Sequence, residues 1–201
     1  VTREAEDSVF IRAGPEIGVA ATKTFCSQVA TLALLSVYVG RQRETFSSAE
    51  ARELLSDLRG LPGAVQQVLD QEKQVRSTAE EYGDGDAFFF IGRRLGAPVA
   101  FEGALKLKEI SYDHAEAFAA GELKHGPLAL VTSETPVLAI LTRGTRAGET
   151  LNNVKEVESR GAPVIGCASS AVDDAEKYVD EVFEVPELGE LEALVANVYF
   201  Q

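Results

Sequence analysis

The feature that most restricts the fold of this chain is the alternation of short apolar runs with longer amphipathic segments after residue 86. Residues 87–92 (AFFFIG), 135–142 (TPVLAILT) and 162–168 (APVIGCA) are continuous apolar runs, which are typical of strands at the centre of a parallel sheet. Residues 182–185 form a shorter fourth run, and residues 147–160 have the pattern of an intervening helix. This βαβ alternation predicts an α/β fold, a doubly wound three-layer αβα sandwich with a parallel sheet.

The earlier part of the chain is predicted to be mainly helical. We expect a short strand at residues 8–13 and an apolar helix at about residues 19–40. Leucines and valines then recur with a period of about 3.6 residues, which indicates further helix. Gly60 and Pro62 are expected to divide this stretch into two helices, because both residues disfavour a helix interior.

A polar, glycine-rich segment at residues 80–86 (EEYGDGD) separates the helical pattern from the alternating one. Such a change of composition is typical of a linker between compact regions. We therefore predict two domains, residues 1–83 and residues 84–201.

Composition excludes several classes of function. Cys26 and Cys167 are far apart and lack metal-ligand spacing, so we expect free thiols and no metal site. The most apolar run, residues 29–39, is too short to cross a membrane, and no signal-peptide pattern is present. These observations favour a cytoplasmic location without a membrane partner. Because the chain begins with Val1 rather than Met, we also expect it to be a piece of a longer protein.

The charge balance is strongly acidic. Asp and Glu number 32 against 19 Lys and Arg, which gives a net charge of −13. A nucleic-acid surface needs a basic patch, so this class of partner is excluded. Spread acidity with few lysines fits a cytoplasm of high salt, where screening weakens self-repulsion. An ordinary acidic bacterial enzyme is the alternative interpretation.

Three charged residues predict a site on one helix. Glu102, Lys106 and Glu109 have i, i+4 and i+7 spacing, which places their side chains on one helical face. Leu105 and Ile110 make the helix apolar on more than one side, so it is expected to be well buried. A lysine between two carboxylates stays charged, and the arrangement suits Glu109 as a proton-abstracting base with Lys106 as its partner. The alternative is a solvated, salt-bridged surface face.

The two histidines follow the same helix. His125 lies beside Gly126-Pro127 in a predicted loop, and its ordinary pKa near neutrality makes it the best candidate for a general acid or base. A lone histidine is more often structural, and this alternative stays open. His114 is expected at the helix end, where it would cap the last carbonyls or favour the helix dipole.

Two motifs carry a resemblance to a known family. Residues 102–130 (EGALKLKEISYDHAEAFAAGELKHGPLAL) and residues 16–23 (EIGVAATK) resemble signature segments of the glucosamine-6-phosphate synthases, the isomerising glutamine–fructose-6-phosphate aminotransferases. The resemblance covers almost the whole chain, and it is weak between the two motifs. It implies two sugar isomerase (SIS) domains, of which residues 1–83 would be the helical C-terminal part of the first.

The resemblance also implies roles for the charged residues. Members of this family convert fructose 6-phosphate and glutamine-derived ammonia to glucosamine 6-phosphate without a metal or cofactor. Glu109 would move a proton between C1 and C2, Lys106 would assist and hold oxygen charge, and Glu102 would orient Lys106. His125 would open the sugar ring from a neighbouring subunit, which makes a homodimer the expected active unit.

Two loops are assigned from the same resemblance. The backbone of Val19, Ala20 and Ala21 would lie against the phosphosugar substrate, although Ala21 stands where the family often has serine. The loop at residues 142–145 (TRGT) occupies the place of a serine- and threonine-rich phosphate loop, but it keeps only two threonines. We interpret it as a mainly structural loop.

Other parts of such an enzyme are expected outside this chain. They are the glutamine-hydrolysing domain, the phosphate loop of the first SIS domain and a Schiff-base lysine beyond Gln201, so the chain alone is predicted to be inactive. Two alternatives stay open. One is a stand-alone SIS deaminase or isomerase of amino-sugar phosphates, and the other is a non-catalytic module that binds a phosphosugar.

Overall fold

The computed structural model describes residues 3–170, 172 and 175–200. The chain folds as two compact units, residues 1–55 and 56–201. The helices are α1 (Lys23–Gln42), α2 (Ser48–Leu69), α3 (Glu72–Tyr82), α4 (Gly96–Ser111), α5 (Ala147–Glu158) and α6 (Glu192–Ala196). The strands are β1 (Phe88–Gly92), β2 (Ala115–Ala119), β3 (Val137–Leu141), β4 (Val164–Ser169) and β5 (Glu181–Val185). Short 3₁₀ helices at Ala120–His125 and Pro127–Leu130 follow β2.

The five strands form one parallel sheet in the order β2-β1-β3-β4-β5. The chain winds from β1 outward to β2, returns to place β3 on the other side of β1, and then continues to β4 and β5. All five residues of β1 are buried, as expected for a strand that is covered on both faces. The prediction of a doubly wound parallel sheet is confirmed.

Two apolar clusters, one on each face of the sheet, form the core. Phe88 and Phe90 belong to the cluster that contains buried residues of α4 and α6. Phe89 and Ile91 belong to the cluster that contains the buried face of α5. Because successive strand residues point to opposite faces, β1 supplies both clusters, and the result is a three-layer αβα sandwich.

Gly92 fixes the start of α4. A Cβ atom at Gly92 would lie 2.3 Å from the main-chain oxygen of Gly96. Backbone atoms cannot move aside as a flexible side chain can, so glycine lets the first turn of α4 begin directly over the end of β1. This contact fixes the position of the charged helix face along the strand direction.

The edge strand β2 was not predicted from the sequence. Its sequence, AEAFA, alternates small, charged and aromatic residues, and it is only partly buried. The apolar-run criterion finds central strands, whereas an edge strand such as β2 is formed mainly by hydrogen bonding to its neighbour β1.

Two local predictions in the helical part are wrong. Residues 8–13 carry no regular secondary structure, and the described part of residues 1–55 contains no other strand that could pair with them. Helix α2 continues through Gly60 and Pro62 and ends only at Leu69. The burial of Ala64 and Val68 in the core offsets the hydrogen bond lost at Pro62.

Two further properties concern the described residues alone. None of their helices is both long and apolar enough to cross a membrane. Within the same residues, no group of three or more His, Cys, Asp or Glu side chains is arranged to hold a metal ion.

The contact of α4 with β1 yields a prediction. A Cβ at Gly103 would lie 2.8 Å from Cδ2 of Phe200 and 2.9 Å from Cδ1 of Phe90, whose rings pack edge to face. We expect Gly103→Ala to lower the free energy of unfolding by about 1–3 kcal/mol, because the added methyl overpacks the core. Urea unfolding followed by circular dichroism measures the change.

The matched control for this prediction is Gly148→Ala in α5. A Cβ at Gly148 meets no atom within 4 Å, so alanine should leave stability unchanged or raise it by up to about 1 kcal/mol. Equal stability of the Gly103→Ala and Gly148→Ala variants would contradict the proposed packing of α4 on β1.

Candidate active site

Lys106 is the buried centre of the charged row on α4. Its side chain is 3% exposed, and its Nζ lies 3.0 Å from Oε1 of Glu102 and 3.4 Å from Oε2 of Glu109. The helix brings the three side chains together because residues three and four positions apart are neighbours on its surface. Their spacing predicted this grouping. Their chemical roles stay predictions.

The ammonium group of Lys106 remains charged despite its burial. Burial lowers the pKa of Lys106, but the hydrogen bonds and negative charges of Glu102 and then Glu109 act in the opposite direction and prevail. The net result is a pKa above the ordinary value of lysine. The row therefore holds a fixed positive charge between two acidic side chains.

Lys106 also borders an apolar cavity. Lys106 lines a cavity of about 430 Å³ that is walled mainly by aromatic and aliphatic side chains, including Phe88 and Phe183. Neither Glu102 nor Glu109 is among the residues that line it. The side chain of Glu109 is 33% exposed, so its carboxylate can be reached by a ligand from outside the cavity.

His125 ends the 3₁₀ helix that follows β2. Ala120 and Leu123 are fully buried and fix this helix to the core, whereas His125 is exposed. The next residue, Gly126, has φ +145°, a conformation that L side chains rarely adopt, so the chain turns sharply behind the imidazole. His125 is thus presented to the surface on an anchored segment.

Glu109 and His125 lie toward opposite ends of β2 within one copy of the chain. Helix α4 starts above the carboxyl end of β1 and runs back toward the amino end of β2, near which Glu109 lies. His125 follows the carboxyl end of β2. The strand alone spans about 13 Å, because strands rise about 3.3 Å per residue. Among the described residues, no hydrogen bond or ion pair joins Glu109 to His125 within one copy.

The expectation that His114 caps the helix is wrong. Helix α4 ends at Ser111, and Tyr112 reverses the chain with φ +66°. The imidazole of His114 is mostly exposed, with Nε2 3.7 Å from Oε1 of Glu116. Its main-chain oxygen accepts a hydrogen bond from the N–H of Phe88. His114 therefore lies next to the start of β1, directly before β2, and not on α4.

Residues 19–21 precede α1 in the unit formed by residues 1–55. Ala20 is buried, whereas Val19 is 91% exposed. Ala21 is exposed and has no hydroxyl group to offer a ligand. The predicted contact of this loop with a sugar stays a prediction.

Glu16 holds this loop, a role that was not predicted from the sequence. Its carboxylate accepts hydrogen bonds from the main-chain N–H and the Oγ1 hydroxyl of Thr24, at 3.0 and 2.6 Å, and from the Oγ1 hydroxyl of Thr22 at 3.2 Å. The ammonium of Lys23 lies 3.3 Å away. Glu16 thus caps α1 from eight residues upstream of Thr24, whereas ordinary capping patterns span about three residues.

These contacts lower the pKa of Glu16 from 4.5 to about 2. The largest cause is the hydrogen bond from the Thr24 hydroxyl, followed by that from the Thr24 N–H. Hydrogen bonds to a carboxylate favour its charged form, so the cap is intact at neutral pH.

The loop at residues 142–145 is closed by its own hydrogen bonds. The Thr145 hydroxyl donates to the Thr142 carbonyl at 2.6 Å and accepts from the Thr142 N–H at 3.2 Å. The N–H of Arg143 donates to the carboxylate of Glu192 at 2.8 Å, and Glu192 is fully buried. These amides already have protein partners, which agrees with the interpretation of a structural loop.

The fold and the charged row together define a class of protein. The family model described as "SIS domain" matches residues 84–199. The chain therefore belongs to the SIS domain family.

Curated relatives give a more particular similarity. The chain is 62% identical, over its whole length, to a glutamine–fructose-6-phosphate aminotransferase (isomerizing) from Halobacterium salinarum. It is 49% and 46% identical, over 98% of its length, to enzymes of the same name from Methanosarcina acetivorans and Thermus thermophilus. The chain spans only about a third of the length of these relatives, at 33%, 32% and 33%.

Solved structures show the same similarity. The C-terminal domain of glucosamine-fructose-6-phosphate aminotransferase from Francisella tularensis matches with a TM-score of 0.94 and 34% identity, over all of this chain and 57% of that one. A glucosamine-6-phosphate deaminase from Thermotoga maritima shares the fold with a TM-score of 0.58, at 22% identity over 93% of this chain and 51% of that one.

The cap formed by Glu16 yields a prediction of pH dependence. Because the pKa of Glu16 is lower in the folded chain than the ordinary 4.5, the stability that it contributes is present above about pH 4.5 and is lost as pH falls toward 2. We expect NMR titration of the Glu16 side-chain carboxyl carbon to give a midpoint near 2. Glu16→Gln should weaken the protection of the α1 amides from hydrogen exchange at neutral pH.

Glu53→Gln is the matched control, since Glu53 is exposed and forms no hydrogen bond or ion pair among the described residues. Its replacement should leave the exchange of α1 unchanged. A Glu16 midpoint near 4.5, or equal exchange in the two variants, would show that the carboxylate does not cap α1.

Proposed function

We propose that this chain is the isomerase region of a glutamine–fructose-6-phosphate aminotransferase (isomerising). Such an enzyme forms glucosamine 6-phosphate from fructose 6-phosphate and ammonia released from glutamine. The observation that carries the proposal is the row of Glu102, Lys106 and Glu109, in which an accessible carboxylate lies beside a buried ammonium group. The similarity to relatives of that name over the whole chain supports it. The glutamine-hydrolysing domain would lie outside these residues.

The row fits a proton shift between adjacent carbons. The Glu109 carboxylate accepts a proton from C1 of the imine that ammonia forms at C2, and it returns this proton to C2. As C1 becomes an aldehyde, O1 loses its hydroxyl proton and the imine nitrogen gains one proton to become the amine, so the number of protons is conserved. The charge that develops on O1 is stabilised by the Lys106 ammonium. Glu102 holds this ammonium in place. The reaction uses no metal and no cofactor.

His125 is proposed to open the sugar ring, acting on the site of a second copy of the chain. The positions of Glu109 and His125 near opposite ends of β2 support this arrangement. Phe101 and Leu105 are 55% and 41% exposed on α4. They lie beside the charged row on the helix surface, where a second copy would cover them. The proposed active unit is a homodimer.

The remaining parts of the proposal concern the substrate and its location. The backbone of Val19, Ala20 and Ala21 is proposed to contact the phosphosugar, and the missing hydroxyl at Ala21 removes one polar contact. We also propose that the enzyme acts in the cytoplasm. The absence of an ordinary phosphate cradle at residues 142–145 supports binding of the phosphate group by another part of the complete protein.

A first prediction tests Glu109 in the complete protein that carries this chain. Glu109→Gln should lower the rate of glucosamine 6-phosphate formation by at least about 100-fold, because the amide cannot accept the C1 proton. Exchange of the C1 hydrogen with deuterated water, followed by NMR, should fall in parallel. Glu158→Gln is the control, since Glu158 is an exposed carboxylate at the end of α5. A normal rate in Glu109→Gln would remove Glu109 from its role.

The same assay separates the proposal from the two alternatives. Release of ammonia from glucosamine 6-phosphate, with no use of glutamine, would identify a deaminase. Binding of glucosamine 6-phosphate without any exchange at C1 or C2 would identify a non-catalytic module.

A second prediction tests the dimeric site by mixing inactive subunits. Glu109→Gln and His125→Asn variants should each be inactive. When they are unfolded and refolded together, half of the dimers are mixed and each mixed dimer has one intact site. We therefore expect recovery of about a quarter of the wild-type activity for a symmetric dimer. No recovery, with mixed dimers shown by mass spectrometry, would contradict a site shared between subunits.

A third prediction concerns the acidic surface, which we propose to be suited to high salt. The net charge of −13 produces self-repulsion that salt screens, since the Debye length falls from about 10 Å at 0.1 M to about 3 Å at 1 M. The midpoint of thermal unfolding should therefore rise with KCl concentration. The rise should be smaller after neutralisation of four exposed acids by amides, at Glu44, Glu53, Asp84 and Glu158. An equal rise in both proteins would exclude charge screening as its cause.

A further inference from the structure

We propose that Arg93 is a positioning residue that sets the place of His125. This inference rests on the proposed role of His125 in ring opening. Arg93 directly follows β1, whose last residue Gly92 pairs with Ala119, the last residue of β2. Arg93 therefore stands beside the point where the chain leaves β2 and enters the 3₁₀ helix that ends at His125.

One side of the Arg93 guanidinium is fixed by α5. Its Nη2 and Nε donate to Oδ1 of Asn153 at 3.0 and 3.4 Å, and its Nη1 lies 3.2 Å from Oε2 of Glu149. Asn153 is 3% exposed, and its own amide donates to Glu156. A planar guanidinium with three such contacts has a fixed orientation, which a flexible lysine could not reproduce.

The other side of the guanidinium meets the 3₁₀ helix at Gly121. A Cβ atom placed on Gly121 would lie 3.1, 3.3 and 3.4 Å from Nη2, Nη1 and Cζ of Arg93. These distances put the position against the end of the guanidinium that carries Nη1 and Nη2. Gly121 thus allows the backbone to rest against Arg93, and a Cβ there would have to displace the guanidinium by a few tenths of an ångström.

The contact restrains the segment from its outer side. Ala120 and Leu123 are fully buried and restrain the same segment from the core, so the backbone between them is held from two directions. His125 follows two residues after Leu123, and its imidazole is exposed. A shift of the segment would be carried to the imidazole, and misplacement by about 1 Å can lower a rate by about 100-fold.

The test measures kcat and KM for fructose 6-phosphate in the complete protein. We expect Arg93→Gln, Arg93→Lys and Gly121→Ala each to lower kcat by about 10- to 100-fold, with little change in KM. The double variant Arg93→Gln/Gly121→Ala should be no slower than either single variant, because both changes remove one contact. Arg146→Gln is the matched control. Arg146 also pairs with Glu149, at 2.9 Å, but it is not among the atoms that meet Gly121.

Thermal unfolding of every variant separates positioning from loss of fold. Gly121→Ala leaves the hydrogen bonds of Arg93 to Asn153 available, so it tests the inference even if Arg93→Gln is unstable. Normal kcat in Gly121→Ala or Arg93→Lys, or an equal loss in Arg146→Gln, overturns the inference. The proposed function fails separately if His125→Asn retains normal activity, whereas an inactive His125→Asn beside normal Arg93 variants removes only the role of Arg93.

Discussion

The ion pairs of one buried ammonium group are the interaction on which the candidate site depends. Lys106 has lost nearly all its contact with water, and within the described part of the chain the carboxylates of Glu102 and Glu109 compensate for that loss. An apolar residue could fill the same volume without the cost of burying a charge. Stability therefore does not account for the charge, whereas the proposed proton transfer beside it would. Gly92 and Gly103 allow α4 to pack closely on β1, and this packing fixes the position of the row along the strands.

Topology determines how that row can be used. A crossover helix between parallel strands returns the chain from the carboxyl edge of the sheet to the amino edge. Glu109 lies near the end of this helix, close to the amino end of β2. His125 follows the carboxyl end of the same strand. The proposed base and acid are thus close in sequence but lie near opposite ends of β2 in one copy. In the proposed homodimer, the second copy would bring its His125 to the row and cover the exposed apolar residues beside it.

Some features could be predicted because they are local in sequence. The strands β1, β3 and β4 were found as continuous apolar runs, and the row on α4 was found from its spacing. The edge strand β2 lacks such a run, and Pro62 was given too much weight because burial of Ala64 and Val68 is not visible in a local pattern. Glu16 and Arg93 were missed for a related reason. Their partners lie 8 and up to 60 residues away, so only the folded chain brings them into contact.

The position of the sugar in a crystal structure of the complete protein with glucosamine 6-phosphate tests the central claim most directly. The account predicts C1 and C2 at about 3–3.5 Å from the Glu109 carboxylate. It also predicts that the imidazole of His125 from a second copy lies within about 2.6–3.2 Å of the ring oxygen of the sugar. A sugar bound at the carboxyl edge of the sheet, away from Glu109 and from every copy of His125, would contradict the account.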